Sequence, residues 1–197
     1  MHCMIDIETL GTKADSAVLT IGALKFDPFN LVDPTNGIHL YLEVDEQTNA
    51  GRSVSEDTLK WWGEQDDAVR ADVFREEGRS TVKSALDELA EFVKDTNGVW
   101  AQGPTFDMVI LENLYNGFGR KAPWRFNKVR DSRTIFAVFG DPRGKFDLAH
   151  NALVDCYHQA KGVQLCLAKL KDSSWNGSVD RQGGSFTQEE YLANIGL

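Results

Sequence analysis

Apolar and polar residues alternate from the first positions of the chain. Ile5 and Ile7 are interleaved with Asp6 and Glu8, the period of two that marks a β-strand, so residues 4–9 are predicted to be extended. Residues 18–26, Val-Leu-Thr-Ile-Gly-Ala-Leu-Lys-Phe, are apolar enough for a second strand that is largely buried. Asp27-Pro28, Asp33-Pro34 and Asn36-Gly37 punctuate the next connection. Residues 38–44 then alternate again as a third strand with one wet face. Three strands with short connections predict an antiparallel meander.

Helical spacing takes over after Ser55. Ser55-Glu56-Asp57-Thr58 forms an N-terminal cap and first turn, followed by Leu59, Trp61 and Trp62, and a second short helix is expected over 66–74. Between 80 and 94, Val82, Ala85, Leu86, Leu89, Phe92 and Val93 recur at three- and four-residue spacing, and Asn97-Gly98 stops the run. A short strand over 99–101 leads into a helix over 106–115. A strand over 128–130, a helix over 134–138 and a long helix within 148–170 complete the pattern. That last helix carries a core stripe of Ala152, Leu153, Cys156, Ala160, Val163 and Leu167. The sum is an α/β fold: one mixed five-stranded sheet flanked by helices over one core. Residues 171–197 read as a polar tail of the same domain, with a short helix over 187–194.

Composition narrows the class. A chain of 197 residues fits one sizeable domain, and its 42% hydrophobic and 26% charged content is ordinary for a soluble globular protein. No apolar run approaches the ~20 residues of a membrane span, and the first residues lack the layout of a signal peptide. Cys3, Cys156 and Cys166 form no CxxC pair, which argues for reduced thiols and a cytoplasmic setting over a disulfide framework or structural zinc.

The net charge of −9 argues against simple binding of a nucleic-acid backbone. The charge is uneven, however. Arg120, Lys121, Arg125, Lys128, Arg130, Arg133, Arg143 and Lys145 are opposed within their stretch only by Asp131 and Asp141. Such a strip either guides a polyanion or is a solvated loop.

Asp6 and Glu8, two apart on a strand, share one face. Both stay ionised only if water or a cation compensates them, and a hard divalent cation bound through oxygen is suited to that. Asp107 begins a helix directly after a strand, where α/β folds place ligands. Asp155 lies in a helix whose inward positions are mostly apolar. Each has a plainer reading: a helix-start acid for Asp107, a solvated acid for Asp155, a cap or core residue for His150.

Together, Asp6-Ile7-Glu8-Thr9, Phe106-Asp107 and His150-Asn151-Ala152-Leu153-Val154-Asp155 resemble the three motifs of the DEDDh exonucleases. These are the histidine-bearing branch of the DnaQ-like 3′–5′ exonucleases, with a ribonuclease H-like fold. The resemblance spans residues 4–162. Thr58-Leu59-Lys60-Trp61-Trp62 and the Gln102-Gly103 approach look most like a subgroup of exodeoxyribonuclease VIII-like and phage exonucleases, which also contains an actinobacterial exoribonuclease.

The resemblance implies a two-metal phosphodiester hydrolase that releases nucleoside 5′-monophosphates. Asp6, Glu8, Asp107 and Asp155 would hold two Mg²⁺ or Mn²⁺ ions, with Asp6 bridging them, and His150 would be the general base. Thr9 and Leu10 match positions that contact the terminal nucleotide. Trp61, Trp62 and Phe106 are candidates for stacking on a base, with one of the tryptophans expected in the core. His158 is a rival base, Asp131 a structural acid and Asp147 a helix-start residue. The expected partner is a nucleic-acid 3′ end, DNA ahead of RNA, with no membrane; self-association is left open. The competing readings are a catalytically silent nucleic-acid-binding domain and another ribonuclease H-like activity, such as an endonuclease or integrase.

Overall fold

The computed structural model describes residues 1–144 and 150–172. Lys145, Asp147, the expected helix start at 148 and the tail from 173 onward, with its helix over 187–194, lie outside the described residues. Strand β1 (His2–Thr9) is the centre of the sheet. It pairs antiparallel with β2 (Val18–Phe26), which pairs antiparallel with β3 (Asn36–Tyr41). On its other side β1 runs parallel to β4 (Val99–Ala101), and β4 runs parallel to β5 (Val129–Asp131). The order is β3-β2-β1-β4-β5, a three-strand meander joined to two parallel strands.

Both faces of the sheet are covered, and β1 shows how. Cys3, Ile5 and Ile7 point to one face. There they meet α4 (Val82–Val93) through Val82, Ala85, Leu86 and Leu89, and α5 (Pro104–Gly117) through Met108, Leu111 and Leu114. Met4 points to the other face and packs with Trp100, Phe136 of α6 (Ser132–Phe139), and Cys156, Ala160 and Val163 of α7 (Ala152–Asp172). Asp6 and Glu8 have the parity of Met4, so they look toward α7. The alternating first strand thus has both faces covered, one of them polar only at its end.

The short elements depart furthest from expectation. The third strand stops at Tyr41 and the chain turns into α1 (Val44–Asn49), where the sequence pattern had continued the strand. This helix has no apolar stripe to announce it, because its buried residue is Gln47. The Gln47 amide accepts from Val18 N–H and donates to the carbonyls of Val18 and Glu43. Glu46 accepts from the N–H of Val82 at the start of α4. Tertiary hydrogen bonds hold a helix of six residues, too short to be stable by itself.

Two more helices, α2 (Glu56–Gly63) and α3 (Asp67–Val73), lie beside the C-terminal end of β1. Ser55 caps α2 by accepting from Thr58 N–H. Trp62, Val69 and Val73 form a small separate core with Leu10, Ala17 and Leu19. Cys3, Cys156 and Cys166 are all free and buried.

Candidate active site

Gly22 decides how closely α7 approaches the sheet. It sits on β2 opposite Asp6, and a Cβ there would come within 2.3 Å of the Ala152 backbone. Without a side chain at Gly22, the first turn of α7 rests directly on β2, and Asp155 arrives beside Asp6. Ligand oxygens of Asp6, Glu8 and Asp155 all lie within 4.8 Å of one another. One turn further along α7, Gln159 Nε2 donates to Asp6 Oδ1 at 2.8 Å.

Asp107 reaches the same cavity from the opposite layer. Gly103 leaves β4 with φ of 106°, a left-handed conformation that a side chain would strain, and Pro104 opens α5 with its φ already set. Asp131, at the end of β5, accepts from Gly103 N–H and from Arg133 N–H. One carboxylate therefore ties down the turn that places Asp107 and caps α6, the structural task the sequence suggested for it. Asp107 lines the cavity at 4% exposure, although the tight group of three oxygen ligands forms without it.

His150 has φ of 69°, the one left-handed non-glycine among the described residues. Its conformation is held from three sides. Its N–H donates to Asp155 Oδ2 at 2.9 Å. Its ring meets Trp61 edge-on, with centroids 4.9 Å apart and planes at 88°. The next residue, Asn151, caps α7 by accepting from Val154 N–H and donates to Asp72 Oδ2 at 2.8 Å. The other oxygen of Asp72 accepts from the Tyr41 hydroxyl at 2.7 Å. Asp72 thus links α3, β3 and the start of α7. His158, the rival base, is not among the residues lining the acid cavity.

The electrostatics are those of a site built without its counter-charge. Burial pushes the carboxyls of Asp6 and Glu8 well above the usual range, and their acidic neighbours push them the same way. Burial raises Asp107 to about 7 against opposing backbone hydrogen bonds, and also raises Asp155, against its bond from His150 N–H. Among the described residues no ion pair engages any of these four acids: Arg143, which lines the cavity, pairs with Asp141. A cluster of buried carboxylate oxygens lacking cationic partners fits hard divalent cations.

Two cavities share a wall. The acid cavity, about 370 Å³, is bounded by the four acids with His150, Gln159, Arg133, Arg143 and Phe106. Its neighbour, about 460 Å³, is bounded by Thr9, Gly11, Thr12, Ser55, Thr58 and Trp61, with Glu8 and Phe106 common to both. Thr9 Oγ1 is turned to the Gly11 carbonyl.

The sequence reading puts one tryptophan of the pair in the core, and it is Trp62: 2% exposed, with its indole N–H donating to the Thr9 carbonyl, although it also lines the second cavity. Its ring is therefore a packing anchor, and a stacking face is offered by Trp61, 39% exposed. Leu10 is also core, packed with Trp62 and absent from the lining of either cavity. The basic strip splits as well: Arg133 and Arg143 line the acid cavity, whereas Arg125 and Lys128 line a different one.

Gln159 was missed, although it lies four residues after Asp155 on the same helical face. Asp72 carries no signal in the sequence, since its partner Asn151 is 79 positions away.

A β3-β2-β1-β4-β5 sheet with these acids at its centre is the ribonuclease H-like fold of the DEDDh exonucleases, and solved structures agree. Exonuclease X in complex with 5′ overhanging duplex DNA superimposes with a TM-score of 0.53 at 15% identity, over 89% of this chain and 94% of that one. The nuclease domain of 3′hExo, a DEDDh family member bound to rAMP, gives 0.53 at 15% over 88% and 93%. The E. coli exonuclease I complex with single-stranded DNA gives 0.59 at 15%, over 87% of this chain and 42% of that longer one.

At the level of sequence, the exodeoxyribonuclease of Enterobacteria phage T4 is 26% identical, across 78% of this chain and 83% of that protein. Residues 1–167 match the family described as the 3′-5′ exoribonuclease Rv2179c-like domain. The chain belongs to that family and is a 3′–5′ exonuclease, a phosphodiester hydrolase acting on nucleic acid. Among the described residues no helix is long and apolar enough to cross a membrane.

Proposed function

We propose that the protein removes nucleotides one at a time from the 3′ end of single-stranded DNA, releasing nucleoside 5′-monophosphates. Asp6, Glu8, Asp107 and Asp155 would hold two divalent cations, Mg²⁺ or Mn²⁺, and His150 acts as general base. The observation that carries this reading is the convergence of Asp6, Glu8 and Asp155 oxygens within 4.8 Å, beside a second cavity walled by Trp61 and Phe106.

Bound divalent cations would supply a water of lowered pKa and charge neutralisation at the leaving 3′ oxygen. The chain's own residues do the rest. Gln159 donates to one oxygen of Asp6 and so orients that carboxylate in the cavity. His150 takes the proton of the attacking water, with its ring kept from rotating by the edge of Trp61. The terminal base occupies the cavity between Trp61 and Phe106, with Thr9 at its floor. Arg133 and Arg143, on the rim of the acid cavity, meet the phosphate.

DNA is favoured by the phage T4 exodeoxyribonuclease relative. The same site on RNA is the second reading, favoured by the family's description as an exoribonuclease domain. The test is a time course on 5′-labelled single-stranded DNA and RNA of one sequence, with Mg²⁺, Mn²⁺ or EDTA. A ladder shortening by single nucleotides and abolished by EDTA is expected, faster on DNA. A faster RNA ladder replaces the first reading with the second. No cleavage of either by folded, metal-loaded protein sinks both and favours a silent binding domain.

A further inference from the structure

At the N-terminal end of the parallel strands lies a surface that the chemistry above does not use. A cavity of about 160 Å³ is lined there by Lys94, Pro123, Trp124, Arg125 and Lys128 over Val99, with no acid in its walls. Arg125 precedes and Lys128 ends a 3₁₀ turn, Phe126–Lys128. Phe126 itself is 90% exposed, the most exposed large apolar side chain among the described residues. Lys94 pairs with Glu91 at the surface, whereas Arg125 and Lys128 have no ion pair among the described residues.

Gly98 lies against the His2 ring and near the Lys128 carbonyl. Burial holds the His2 pKa down, with the charges of the N-terminal amine, Arg130 and Lys128 acting in the same direction and Asp27 against them.

An aromatic ring left in water beside unpaired cations has the chemistry of a single-strand platform, in which cations take phosphates and the ring takes a base face. In a chain of net charge −9, such a patch offers a polyanion a local attraction.

We propose that Arg125, Phe126 and Lys128, with Trp124 and Lys94 behind them, form a second nucleic-acid contact that holds the single strand upstream of the 3′ end. This rests on the single-strand reading of the active site. Val99 under the patch is level with Cys3, three to five residues of β1 before Asp6 and Glu8, which at ~3.3 Å each puts the acid cavity roughly 10–17 Å away along the strand. A dinucleotide does not span that distance; a strand of about 20 nucleotides does, even at the ~3.4 Å rise of stacked bases.

The test pairs binding with turnover. Binding of a fluorescent oligo(dT) of about 20 nucleotides is followed by anisotropy in EDTA across a salt series, and hydrolysis of a dinucleotide and of the long strand is followed with Mg²⁺. Arg125→Ala/Lys128→Ala is expected to weaken binding of the long strand about tenfold at low salt and to flatten the log–log salt slope by about 1.4, two phosphates' worth. Phe126→Ala is expected to weaken it about fivefold with the slope unchanged. Both variants should melt with wild type and cleave the dinucleotide at its rate.

Unchanged affinity and slope would overturn the proposal. So would an equal loss on dinucleotide and long strand, which would place these residues in the catalytic end. A patch that ignores oligo(dT) but binds a poly-glutamate peptide through Arg125 and Lys128 would overturn it in favour of an acidic protein partner. Patch-dependent binding by a protein that cleaves neither substrate would sustain this proposal while sinking the nuclease reading of the active site.

Discussion

The two ends of the parallel strands carry opposite charge in opposite settings. At the C-terminal end, Glu8 and Asp107 are buried, and Asp6 and Asp155 complete a group of four acids with no ion-pair partner among the described residues. At the N-terminal end, Arg125, Lys128 and Arg130 stand in water around an exposed Phe126. Burial makes the difference. A carboxylate out of water either loses its charge or gains a cation, so the buried acids are suited to a cation. An exposed guanidinium or ammonium stays charged and acts through its field, which salt screens. Acid residues at the first end should therefore govern rate, and basic residues at the other should govern affinity.

The sharpest way to break this contrast is to remove an acid. Asp6→Ala or Asp155→Ala should lower hydrolysis by about a thousandfold or more, while the metal-free variant melts no lower than wild type, because removal of a buried like charge relieves repulsion. A variant that unfolds would mean these acids hold the fold and not the metals.

His150→Ala should lower kcat by about 10²–10⁴ with the Mn²⁺ titration midpoint nearly unchanged. Equal loss of both would make His150 a ligand.

A smaller effect is expected at Asp72, which touches neither cavity yet ties Asn151 to Tyr41. Asp72→Ala should lower kcat about tenfold with KM unchanged, the mark of a positioning residue. Loss confined to thermal stability would reduce Asp72 to a fold contact.

The gentlest probe is pH. Asp6, Glu8, Asp107 and Asp155 all have pKa values raised by folding, so the folded chain holds more protons than the unfolded one. Stability from these groups is present below the unfolded carboxylate pKa, near 4, and is lost as pH rises through the folded values, about 7 for Asp107. In EDTA the melting temperature should fall between pH 5 and pH 8 by about 5 °C, and Mg²⁺ should restore more at pH 8 than at pH 5. A melting curve independent of pH in EDTA would show that the acids are solvated.

The patterns of the chain carried the sheet and the long helices, because alternation and three-to-four spacing are local records of what is buried. Residues 18–26 and 99–101 are strands as expected, and Val82 to Val93 presents the predicted face. Asp6, Glu8, Asp107, Asp155 and His150 were marked by motif, and the structure gathers all five around one cavity.

What packs from a distance was decided only by the tertiary structure. Gln47 anchors a short helix, Val44–Asn49, that the sequence pattern does not announce. Trp62 and Leu10 fall to the core while Trp61 stays at the mouth. Asp72 reaches Asn151 across 79 residues, and one basic strip is divided between two ends of a sheet. A motif fixes residue type and spacing, but burial and hydrogen-bond partners depend on which elements meet. For this chain that meeting is set by the close contact of α7 with Gly22.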